Sequence, residues 1–107
     1  MTHQDDAQAT SRLRHAVMSF QTAQVAYLGA FRRMRNWPLE KVDAFWDGPG
    51  LRLEVALRTS AEEVIAAFAV FSAAGLHASA SERHLVTEAR RTLNQGAGWQ
   101  SSPLGVH

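Results

Sequence analysis

A chain of 107 residues has room for one modest hydrophobic core and not for two. Its 46% apolar and 20% charged residues are the proportions of a folded domain, which sets disorder aside. The lack of cysteine removes disulfides, thiolate metal sites and thiol nucleophiles together, and a formal charge of +1 leaves no global field to hold nucleic acid or an anionic membrane.

The chain opens on Met1-Thr2-His3-Gln4-Asp5-Asp6, which has neither the basic start nor the apolar core of a secretion signal. Its longest apolar run, residues 64–71, falls far short of the roughly 20 residues of a membrane span. A soluble, cytoplasmic protein without membrane association is expected. Ten arginines against the single Lys41, with abundant alanine, suggest GC-rich coding and a bacterial source.

A long first helix is expected from about residue 5 to residue 36. Asp5 and Asp6 stand at its start and Arg32, Arg33 and Arg35 at its end, both favourable to the helix dipole. Pro38 stops it. Leu13, Val17, Phe20, Gln24, Tyr27, Phe31 and Met34 recur at alternating gaps of four and three, the heptad seam of coiled-coil packing. Ala9, Ala16, Ala23 and Ala30 repeat one heptad apart beside it, so a neighbouring backbone can approach closely. At about 1.5 Å per residue the rod would be some 45 Å long, more than twice the roughly 13 Å radius of gyration of a compact domain this size. Part of it is therefore expected to project, or to find its partner in another chain. Apolar character also spreads beyond the seam to Met18, Val25 and Leu28.

A short connector helix is expected over residues 38–46, with Val42, Phe45 and Trp46 folding back as a cap. Asp47-Gly48-Pro49-Gly50 is a strong break. Residues 51–58 alternate like a strand, yet they are good helix formers and place Glu54 four residues before Arg58, so helix is preferred. Ser60 with Glu63 reads as a capping box opening a central helix that ends at Gly75. Ser79 with Glu82 reads as a second box, opening a last helix that ends at Gly96. Residues 96–107 read as a flexible tail pinned by Trp99, leaving 1–95 as a single helical domain.

The expected fold is all-α: a small bundle of one long helix, a short connector helix and two or three shorter helices. Its expected core is Leu13, Val17, Phe20, Tyr27, Phe31, Val64, Phe68, Phe71, Leu85, Ala89 and Leu93.

Chemistry-bearing patterns are sparse. Five histidines invite a metal, but only His84 and Glu88 share a helix face at ligand spacing, with His15 as a distant third. Asp43 and Asp47 flank Trp46 without a base, nucleophile or phosphate loop nearby. No seryl elbow surrounds Ser79 or Ser81. No enzyme activity, cofactor or metal is expected. A nucleic-acid reading rests on Arg32, Arg33 and Arg35 beside Trp37, and on a helix-turn-helix-like stretch over 61–89 that would present Glu82, Arg83 and His84. The leading expectation is a non-enzymatic interaction module, a homodimer or a subunit bound to another protein. Its contact surface would be Val17, Phe20, Gln24, Tyr27, Phe31, Met34 and Trp37. A nucleic-acid-associated regulator using the arginine cluster is the alternative.

Overall fold

A computed structural model describes the backbone of residues 3–101 and the side chains of residues 4–95. Four helices follow in order: α1 (His3–Arg33), α2 (Leu39–Asp47), α3 (Pro49–Ala73) and α4 (Ala80–Ser101). The described residues contain no strand, and the all-α bundle with a long first helix stands as expected.

The first helix ends slightly early, at Arg33, because Met34, Arg35 and Trp37 turn off it. Trp37 N–H then donates to the Met34 carbonyl at 3.0 Å. Residues 51–58 are helical, and α3 runs through them without a second start at Ser60. The expected capping box there does not form: Ser60 Oγ donates to the Leu57 carbonyl at 3.0 Å, and Glu63 is engaged by Arg12. One residue, Gly48, separates α2 from α3, and Pro49 opens α3 where its missing N–H costs nothing.

The far end of α3 closes on Gly75 at φ +80°, the left-handed region that suits glycine. Gly75 N–H donates to Ser72 O at 2.9 Å and Leu76 N–H to Phe71 O at 3.3 Å, the two bonds of a Schellman motif. The second capping box forms as expected. Glu82 N–H donates to Ser79 Oγ at 3.1 Å, and Ser79 N–H to Glu82 Oε1 at 2.9 Å. The last helix passes Gly96 and runs to Ser101. An interior glycine weakens a helix by about 1 kcal/mol without stopping it. The expected tail lies outside the described residues from 102 onward, and the pinning expected of Trp99 lies outside the described side chains.

Packing is uneven along the molecule. The first half of α1 supplies Ala9, Leu13, Ala16, Val17 and Phe20 to the core. They meet Ala61, Val64, Ala67 and Phe71 of α3, and Val86 and Ala89 of α4. Central α3 touches all three other helices. Small residues on α1 and α3 (Ala16, Ala61 and Ala67 are essentially sealed) let the backbones close, while Leu13 and Phe20 fill the volume between them. Phe68, Leu85 and Leu93 lie half-buried at the edge of this core. Tyr27 and Phe31, also expected in it, are not members: Tyr27 is half-buried and Phe31 exposed. The molecule is elongated, 55 × 28 × 22 Å, with its tight packing at one end.

Candidate functional site

The second half of the α1 seam leads out of the core. Past Phe20 the helix continues while the α3 segment beside it, residues 51–58, turns most of its apolar surface outward. A groove of about 530 Å³ opens between them. Helix α1 contributes Gln24, Tyr27, Leu28 and Phe31, and α3 contributes Leu51, Val55 and Leu57. Glu54 and Arg58 also face it. The ion pair expected between these two does not form. Glu88, Thr92 and Gln95 of α4 close the polar side, with Glu88 held by Arg91 at 2.6 Å.

One end of the groove abuts an aromatic cluster that attaches α2 to the bundle. Tyr27 and Phe31 stand edge to face, with ring centroids 5.1 Å apart. Trp46 lies 5.4 Å from Tyr27 and 5.0 Å from Phe31, and Phe45 meets Trp46 at 5.1 Å. Such pairs contribute about 0.5–1.5 kcal/mol each beyond area burial. Helix α2 has no buried residue of its own, so these rings are its main anchorage. Gly50 makes the approach possible. A Cβ there would lie 2.8 Å from both Phe45 Cδ2 and Trp46 Cδ2.

Burial pushes the Tyr27 phenol above its ordinary value, and the negative charge of Glu54 adds to the rise. At the other end of α1, Arg12 donates to both Glu63 oxygens, at 2.7 and 3.1 Å. That hydrogen bonding holds the Glu63 carboxyl below the usual carboxylate range. It is an exposed clamp between α1 and α3, remote from the groove.

The expected contact residues divide sharply. Val17, Phe20 and Met34 are 6%, 0% and 5% exposed, so they belong to the chain's own interior and offer no surface to a partner. Gln24, Tyr27 and Phe31 line the groove, and Trp37 stands at the surface beyond it. Reading the sequence missed Leu51 and Val55, each about half exposed, because their alternation was weighed only as a strand signal. Their spacing of four, facing Leu28 and Phe31 three apart on the other helix, was the available clue.

Arg32, Arg33 and Arg35 are exposed and make no ion pair among the described residues. Lys41 Nζ sits 5.1 Å from the centroid of the Trp37 ring, which adds a fourth cation to that end. In the helix-turn-helix-like stretch, Glu82 caps its own helix and Arg83, exposed, donates one N–H to the Ala78 carbonyl. Asp43 and Asp47 are exposed, away from the groove, and Trp46 between them faces rings. No three His, Asp or Glu side chains converge among the described residues, and no helix there is long and apolar enough to cross a membrane. No protein-family model, curated protein or solved structure matches this chain.

Proposed function

We infer that the chain is a non-enzymatic helical interaction module, a self-associating adaptor or an accessory subunit of a bacterial complex, with the groove as its contact surface. One observation carries this reading. The seam that is sealed from Leu13 to Phe20 opens between Gln24 and Phe31, where Phe31, with Leu28, Leu51 and Val55 beside it, stays in water around a concave surface. Open apolar surface of this kind costs solubility in a monomer and marks contact sites. Aromatic anchors such as Tyr27 and Phe31 are the residues that dominate contact energetics.

Light scattering over a concentration series and co-purification from the native host test it together. Phe31→Asp is expected to dissolve the assembly while circular dichroism keeps most of the helix signal. If assembly mass and helicity both survive the substitution, the contact lies elsewhere.

A nucleic-acid-associated regulator is the second reading, favoured by the unpaired Arg32, Arg33 and Arg35 around Trp37. It requires salt-sensitive binding of duplex or single-stranded DNA that is lost on Arg32/Arg33/Arg35→Ala. Absence of binding at low salt removes it.

A further inference from the structure

The outward side of α1 carries a second seam, separate from the one that builds the core. Arg14, Met18, Gln21, Val25, Leu28 and Arg32 follow one another at gaps of four, three, four, three and four. All six are exposed: Met18 is 65%, Val25 73% and Leu28 51% open to solvent. A solvated helix face normally carries charges at this spacing. Here residues 16–31 hold no Asp, Glu, Lys or Arg at all, and Tyr27 is their one titratable side chain. Charge returns only at the two ends, as Arg14 and Arg32, about 27 Å apart along the axis. Neither is ion-paired among the described residues.

That charge pattern decides between occupants. A second copy is disfavoured in both orientations. Parallel pairing sets Arg14 on Arg14 and Arg32 on Arg32, whereas antiparallel pairing lays Met18 on Leu28 but sets Arg14 on Arg32. Both registers that overlap the whole apolar stretch thus bring like charges together, which acts against association. An amphipathic helix with an apolar middle and a carboxylate at each end meets both demands at once.

We propose that the outer face of α1 docks an acidic-ended amphipathic helix of another protein, with Met18, Val25 and Leu28 as the apolar contact, Gln21 setting register, and Arg14 and Arg32 gripping carboxylates. The inference rests on reading α1 as the contact element and names the chemistry of what covers it. Leu28 joins this face to the groove, so one partner can span both.

Two labelled peptides of about six helical turns test it by fluorescence anisotropy against the full chain. Both carry leucines at the complementary seam; one ends in glutamates and the other in lysines. The glutamate peptide is expected to bind about tenfold tighter, the sum of a few exposed ion pairs, and added salt should shrink the difference. Arg14→Glu with Arg32→Glu should reverse the order, and Met18→Ser with Val25→Ser should abolish binding of both. These side chains are exposed, so the variants keep the fold. Phe31→Ser with Leu51→Ser should leave the peptide preference intact, which separates this face from the groove. Equal binding of the two peptides, binding of neither, or a dimer in light scattering that Val25→Ser dissolves would each overturn the proposal.

Discussion

Gly50 and Gly29 are both helical glycines, yet their surroundings give alanine opposite effects. At Gly29 the nearest atom to an added Cβ is Arg33 Nη1 at 3.7 Å, an ordinary contact, so the helix-propensity gain survives. Gly29→Ala is expected to stabilise by about 0.5–1 kcal/mol. At Gly50 the same propensity gain meets the Trp46 and Phe45 rings, which the cluster holds in place. Overpacking of this kind costs about 1–3 kcal/mol, so Gly50→Ala should destabilise. Urea unfolding of the two variants reads the signs; equal gains from both would mean that Trp46 moves freely. Tyr27 allows a second check, because it is the sole tyrosine and its ultraviolet titration is unambiguous. Its phenol is neutral when protonated, and burial disfavours the phenolate, so the folded chain retains the proton where the unfolded chain has released it. The stabilising contribution is therefore complete below the ordinary value of 10.0 and is lost as pH rises past it. Glu54→Gln should lower the midpoint only in part, since burial is the larger cause. A return to the ordinary value in Glu54→Gln would reverse that order.

Two Ser-x-x-Glu signatures, identical on paper, part ways once their helices form. Ser79 follows the Gly75 closure and three residues outside any helix, so its oxygen and that of Glu82 meet free N–H groups. Ser60 follows good helix formers, finds its neighbouring N–H groups already used, and turns back to the Leu57 carbonyl. Ser79→Ala should therefore cost about 0.5–2 kcal/mol in thermal unfolding, as loss of an N-cap does. Ser60→Ala should cost far less, and equal losses would contradict the continuous α3. Local rules made Gly75 and the Ser79 box legible because each depends on a few adjacent residues, whereas residues 47–50 read as a break although Pro49 and Gly50 open α3. The uninterrupted α3 and the passage of α4 through Gly96 were not legible, since both depend on whether a helix already exists when the signal is reached. The groove was half legible. Its α1 side follows from the heptad spacing, while Leu51 and Val55 join it only through the antiparallel return of α3.

Across the whole molecule the seam proves to serve two environments. From Leu13 to Phe20 it is satisfied inside the chain, and from Gln24 to Phe31 it faces a groove. Spacing alone registers the same face throughout and cannot mark where the neighbouring helix stops covering it. Stability should follow this division. Amides of α1 around Leu13–Phe20 and of α3 around Val64–Phe71 are expected to exchange slowest in deuterium oxide. Those of α2, which lacks a buried residue, should exchange fastest among the helices. Uniform protection would show that the aromatic cluster binds α2 as firmly as the core binds α3. The same cluster supplies the molecule with its own optical gauge. Tyr27 and Trp46 sit 5.4 Å apart on different helices, so light absorbed by the tyrosine passes to the indole while α2 is seated. When α2 lifts, tyrosine emission returns, and its intensity reports how often the chain opens at this joint without any label attached.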